Sequence, residues 1–434
     1  MKFSENFSET RNKFSGVDKK GFKPYNPSML SEGQRSVLVG SCGAILIALV
    51  FLFAGVFTQP SSYSEIATIA RGVGSFKELS DKFSGLAAQS GALYAYEVLR
   101  RAELPPGTDL HLLAHVIGDE LYKEKGISGI ADCTQEFRNA CSHSIVIGAL
   151  NEFGAEAASI IEKLQDACQK APGGSGAYTM CFHGLGHGVF SYFGYSFPET
   201  IQFCKRVGTK DYRDREYVEC MGGAMMELMG GGGHDKKAWV KARLRYVSGE
   251  DPLAPCSTAV IPEDVKPICY TYLTPHLFEA AGADLAAPEP RHFAVAFQYC
   301  GRVPYNENAS RAACYGGLGK EFIVLALKRD IRSVAKAGEA ELRTMKAWCG
   351  LAEDEDGKIS CEDSVVDSLY WGGENGPGVA VRFCSLFLDS ESFGCFNYLF
   401  GAARFYLPPG HPERETLCSA VPERWRPSCA EKLL

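Results

Sequence analysis

Sixteen of the chain's 17 cysteines fall in couples: Cys133/Cys141, Cys168/Cys181, Cys204/Cys220, Cys256/Cys269, Cys300/Cys314, Cys349/Cys361, Cys384/Cys395 and Cys418/Cys429. Members of a couple stand 8 to 16 residues apart, and first members recur every 34 to 52 residues. A ruler of this kind constrains the fold more than any other feature, because each period must return to the same local geometry. Paired cysteines in this number point to an oxidising compartment. No C-x-x-C occurs, which excludes a thioredoxin-like redox motif and the usual zinc ribbon.

The sequence between the marks repeats as well. Amphipathic helical runs lead into first cysteines, as in EAASIIEKLQDAC ending at Cys168, SFPETIQFC at Cys204, RHFAVAFQYC at Cys300 and PGVAVRFC at Cys384. A loop rich in Gly, Pro, Asn and Asp follows. Apolar helical runs then open on second cysteines: CSHSIVIGAL from Cys141, CFHGLGHGVF from Cys181, CMGGAMMELM from Cys220, CYGGLGKEFI from Cys314 and CFNYLFGAARF from Cys395. Two helices per period of this length indicate an all-α, disulfide-stapled α-solenoid of helical hairpin repeats. Sequential pairing within each hairpin is the expected connectivity, with bridges between neighbouring repeats as the alternative. Closing loops of this length contributes about 2.5–3 kcal/mol per bridge on the chain-entropy account. An unbridged first unit runs through GALYAYEVLRRAEL, a turn capped by Asp109, and LHLLAHVIGDELYKEKG.

The remaining cysteine, Cys42, lies in Val37–Phe57, 21 residues without a charge. That length spans a bilayer as a helix. A polar leader precedes it and no A-x-A site follows, so it reads as an uncleaved signal anchor and not a cleaved signal peptide. The leader holds seven basic against four acidic residues, a net +3, which leaves about −10 for the remainder of a chain whose total is −7. The positive-inside rule then keeps the N-terminus cytoplasmic and exports the rest to the periplasm, cell exterior or a lumen. The expected organisation is a cytoplasmic tail over 1–35, a transmembrane anchor over 36–58, juxtamembrane helices over 59–104 and an exported repeat domain over 105–434. The lipid bilayer is thus a partner through residues 37–57. An acidic exported part argues against nucleic acid.

Histidine follows the repeat register. Counted from the opening cysteine of each second helix, or from Asp109 in the first unit, position +2 holds His111, His143 and His183, and position +6 holds His115 and His187. Five of the nine histidines share these two phases within 77 residues. Residues four apart project from one helix face, so two H-x-x-x-H pairs on neighbouring helices can converge. The expected centre is a divalent transition metal on His111, His115, His143, His183 and His187. An all-imidazole set suits zinc, copper, iron or nickel, because the bridged cysteines leave no thiolate. Asp119, Glu120 and Glu227 are the nearby carboxylates, and His234 lies in a Gly-rich run within reach. Neither pair forms H-E-x-x-H, so a zincin protease is not indicated, and no C-x-x-C-H offers haem attachment. Gly184, Gly186 and Gly188 thread the second pair. A helical glycine costs about 1 kcal/mol against alanine, so three within five residues imply close packing or room for an ion.

Other signals read more blandly. Glu227, His276 and Glu321 at position +7 form a solvated row, and the acidic stretch at Asp354 reads as an inter-helix loop and not an EF-hand. Asn308-Ala-Ser310 is a glycosylation sequon, relevant in a eukaryotic setting. No G-x-S-x-G, phosphate loop or dinucleotide fingerprint occurs. Two functions fit: a metal site, catalytic (activating water or oxygen) or metal-handling, and a non-catalytic scaffold docking a protein or envelope polymer on its concave face. A lumenal glycosyl-transfer enzyme shares the topology but lacks an obvious nucleotide-sugar D-x-D site, the Asp354-Glu-Asp356 triplet being part of the acidic loop.

Overall fold

The computed structural model describes residues 64–434 apart from 157–158, 212, 231–235, 248, 285–286 and 371–375. The tail and anchor expected before residue 59, Cys42 and His234 lie outside the described residues. Among the described residues every regular element is a helix, and none is long and apolar enough to cross a membrane.

A short α1 (Ser64–Thr68) precedes α2 (Phe76–Ser90) and α3 (Ala92–Arg101), which pack on α4 (Leu110–Lys125). Helical hairpins follow: α5 (Ala140–Phe153), then α6 (Ile160–Cys168) with α7 (Gly174–Tyr192), and α8 (Phe197–Val207) with α9 (Arg215–Gly230). Next come α10 (Lys236–Tyr246), α11 (Lys266–Tyr272) and α12 (Thr274–Ala280). The last hairpins are α13 (Pro290–Gly301) with α14 (Asn308–Ala326), α15 (Glu339–Cys349) with α16 (Glu355–Tyr370), α17 (Pro377–Cys384) with α18 (Asp389–Tyr406), and α19 (Pro412–Ala420) with α20 (Arg426–Leu433).

Eight disulfides join Cys133–Cys141, Cys168–Cys181, Cys204–Cys220, Cys256–Cys269, Cys300–Cys314, Cys349–Cys361, Cys384–Cys395 and Cys418–Cys429. Most second helices begin before their cysteine: α7 at Gly174, α9 at Arg215 and α16 at Glu355. The cysteine therefore sits one to two turns inside, level with the last turn of its partner helix. The acidic stretch near Asp354 is consequently a helix start. The Asp354 carboxylate accepts from Arg311 at 2.6 Å.

Second helices pack in one inner row, α4–α5–α7–α9–α11–α14–α16–α18–α20, and first helices lie outside. Glycines set the row's spacing at fixed phases. At position +3, a Cβ on Gly184 would stand 2.5 Å from Cα of His143, one on Gly223 1.8 Å from the His183 carbonyl oxygen, and one on Gly317 2.6 Å from that of Thr271. Each of these faces the preceding inner helix. At +5, Gly186 and Gly319 face the following one, where a Cβ would meet the carbonyl oxygens of Cys220 at 1.9 Å and Cys361 at 2.2 Å. No side chain larger than hydrogen fits against backbone at that range. The glycines of CFHGLGHG are therefore helix contacts first, and Gly184 is the one that admits an imidazole. Pro275 divides the fifth period's second helix into α11 and α12, as expected for a residue lacking an N–H.

The row turns back on itself. Helix α18 packs on α7, with the Arg215 guanidinium 3.9 Å above the Phe405 ring. Arg332 donates to the carbonyls of Leu99 and Ala102 at 2.9 Å, tying the 3-10 turn Ile331–Lys336 to the end of α3. The inner faces thereby enclose an interior.

Candidate metal centre

His111 and His115 occupy the first two turns of α4, whose N-cap Asp109 accepts from the Leu112 amide at 3.0 Å. His143 lies on α5, and His183 and His187 on α7. The row brings all five imidazoles together. Ring centres stand 4.6 Å apart for His111 and His115, 5.7 and 5.5 Å from these to His143, 5.6 and 6.0 Å from His143 to His183 and His187, and 5.2 Å between the last two. His111, His115 and His143 each bring one ring nitrogen within 4.8 Å of the others, the one group of metal-ligand geometry among the described residues.

A hydrogen bond fixes the His111 tautomer. Nδ1 of His111 lies 2.7 Å from the carbonyl of Phe137, which can only accept. Ser144 Oγ lies 2.9 Å from the His115 carbonyl and 3.1 Å from Nδ1 of His115. Nε2 of His111 is left with a lone pair and faces Nε2 of His115 at 3.2 Å. A tetrahedral ion with nitrogens at about 2.05 Å spaces them by about 3.3 Å. Nδ1 of His187 meets the Glu227 carboxylate at 3.0 Å, and Nδ1 of His183 lies 3.7 Å from Oε2 of Glu219. A carboxylate or carbonyl behind each imidazole is the usual outer support of a metal ligand.

His143 and His183 are each 1% exposed and His187 is 7% exposed. Burial pushes His111 down to about 4. Burial, with His115 adding, lowers His143, and burial, with His187 adding, lowers His183. His111, His143 and His183 are thus held neutral, the form that binds metal.

His111, His115, His187 and Glu227 line a cavity of about 660 Å³. Its wall mixes Met226, Met229, Phe278 and Val324 with Arg138, Lys320, Arg329 and Asp119. Lys320 pairs with Glu321 at 2.9 Å and stands 4.5 Å over the Tyr272 ring, and burial lowers its amine. Position +7 is therefore not a solvated row: Glu227 and His276 are buried, and Glu321 faces the cavity. His276 stays apart from the cluster, its Nδ1 3.5 Å from Glu279.

Glu120 does not join the histidines. It accepts from Ser84 and Lys123 at 2.8 Å, because five residues beyond His115 rotates it about 140° around α4. Sequence reasoning missed the Phe137 carbonyl, Ser144, Glu219 and Tyr272, whose ring lies 4.9 Å from His183. Phe137, Arg138 and Asn139 are three consecutive non-glycine residues at φ 55°, 57° and 61°. This costly backbone, closed by the Cys133–Cys141 bridge, aims one carbonyl at His111 and sends Arg138 to the cavity wall. Only Asn139 in that segment is a residue type that favours such backbone.

No protein-family model matches the chain, and neither a curated protein nor a solved structure does.

Proposed function

We propose that the chain is a membrane-anchored, exported α-solenoid that holds a transition metal on His111, His115 and His143 and presents it to a small molecule in the adjoining cavity. One observation carries this reading: one ring nitrogen each of His111, His115 and His143 lies within 4.8 Å of the others, with Nε2 of His111 and Nε2 of His115 facing each other at 3.2 Å on the cavity wall. Export is supported by the apolar run Val37–Phe57 and by eight bridges that need an oxidising compartment. The solenoid reading is supported by the repeated hairpin and its constant glycine phases.

The donor set is all nitrogen, which suits zinc, copper, iron or nickel. Such an ion supplies Lewis-acid or redox chemistry toward water or oxygen. His187, backed by Glu227, stands beside the three ligands on the cavity side. The cavity has the size of pockets for small organic ligands, about 300–1,000 Å³. That volume beside the ligands favours a reacting or ligand-accepting centre over a purely structural ion.

Elemental analysis of the full-length chain from metal-replete, oxidising expression tests the proposal, beside a His111→Ala/His115→Ala variant. Near-stoichiometric metal in the wild type and its loss in the variant are expected. No metal in either would contradict the reading.

A further inference from the structure

The histidines form two pairs with one ring between them. His111 and His115 project from α4, His183 and His187 from α7, and His143 from α5, the helix packed between those two. Nδ1 of His111, His115 and His187 meets an oxygen, of Phe137, Ser144 and Glu227. Nδ1 of His183 is buried without a hydrogen-bond partner, 3.7 Å from Glu219. That leaves Nε2 of the first three rings and Nδ1 of His183 for a ligand. His143 differs from all four. Both of its ring nitrogens are buried, and neither has a hydrogen-bond partner.

An imidazole has two nitrogens, and one ion satisfies only one of them. With a single ion on His111, His115 and His143, the second nitrogen of His143 stays buried and unpartnered, as does Nε2 of His187. The rings of His143, His183 and His187 lie within 6.0 Å of one another, a wider set than the first group, and a second ion would draw their free nitrogens together. One outer member, His187, is backed by the carboxylate of Glu227 on α9 at 3.0 Å, as metal-bound imidazoles commonly are, and Glu219 of the same helix lies 3.7 Å from Nδ1 of His183.

We infer that the centre is dinuclear, with His143 bridging two transition-metal ions through its two ring nitrogens, one ion held by His111 and His115 and the other by His183 and His187. This rests on the metal reading above and specifies its nuclearity. Binding the second ion replaces the remaining N–H of His143 by a metal–nitrogen bond and releases one proton to solvent. The second ion also explains why α7 carries both histidine phases while α5 carries only one. The bridge needs a single ring between two pairs.

Copper(II) is the probe, because a bridging imidazolate couples the spins of two copper ions. The full-length chain is stripped of metal, loaded with copper(II), and passed over a chelating resin. Retained ions are counted by native mass spectrometry and unpaired spins by electron paramagnetic resonance. Two retained ions per chain with a spin count well below two are expected. His143→Ala should restore about one spin per retained copper, and the wild-type measurement stands without it should that variant fold poorly. Saturation at one ion would overturn the bridge and leave the single-ion centre standing. Two ions with a full spin count would also overturn it. No retained copper would overturn both readings.

Discussion

Replacing Gly186 by alanine should damage the protein out of proportion to one methyl group. A Cβ there would lie 1.9 Å from the Cys220 carbonyl oxygen, 2.8 Å from its carbonyl carbon and 2.9 Å from the Ala224 nitrogen. All three atoms are backbone, so no side chain can rotate away. Ordinary contact at about 3.4 Å requires α7 and α9 to separate by about 1.5 Å. Overpacking of this kind costs up to about 3 kcal/mol, and the better helix propensity of alanine returns about 1 kcal/mol. The expected net loss is about 2 kcal/mol. The same separation pulls His183 and His187 from Glu219 and Glu227, the latter now 3.0 Å from His187, so metal retention should weaken as well. Gly401, exposed on α18 with nothing within 4 Å of a Cβ, is the control, and Gly401→Ala should stabilise by about 0.5–1 kcal/mol. Denaturant unfolding with the disulfides intact measures both. Gly186→Ala as stable as Gly401→Ala would refute the argument that backbone contact sets the inner row's spacing.

Three further outcomes follow from the packing and charges. Arg311→Ala strips donors from the carbonyls of Gly301 and Val303, at 2.6 and 2.9 Å, and from Asp354; a loss of about 2–4 kcal/mol is expected in the same unfolding assay. Burial, with Asp367 adding, holds Asp363 up at about 7, and burial holds Asp367 at about 6. Folded values above the ordinary carboxylate range mean the native chain binds more protons than the unfolded one. Their stabilisation is therefore present at acid pH and is lost as pH rises through about 6–7. Thermal midpoints should fall from about pH 4 to about pH 7 and level off above it, and an Asp363→Asn/Asp367→Asn variant should flatten the slope. A Cys168→Ser/Cys181→Ser variant opens a loop with a separation of 13 residues and should cost about 3 kcal/mol, read by chemical denaturation beside the wild type.

The repeat was legible because cysteine and glycine recur at fixed positions. One register position makes one contact, as Gly184, Gly223 and Gly317 each do with the preceding inner helix. The five histidines were legible for the same reason: one residue type at two phases of stacked helices lands on one surface. What surrounds them was not. The Phe137 carbonyl depends on a left-handed run through Phe137, Arg138 and Asn139 that local propensity disfavours. Glu219 meets His183 only through the pitch between α7 and α9. The return of α18 onto α7 comes from small rotations summed over several hairpins, and no single segment encodes it. Helix starts at Gly174 and Glu355 were also missed, because Gly-rich and acidic stretches read as loops when the covalent bridge that holds them is ignored.

In the proposed centre imidazole nitrogens hold a metal and the cysteines serve only as staples. X-ray absorption at the edge of whatever metal the full-length chain carries addresses both halves in one spectrum. A first shell of nitrogen and oxygen at about 2.0–2.1 Å, with imidazole scattering behind it and no sulfur, is expected. Sulfur at about 2.3 Å, or a shell without imidazole, would contradict it.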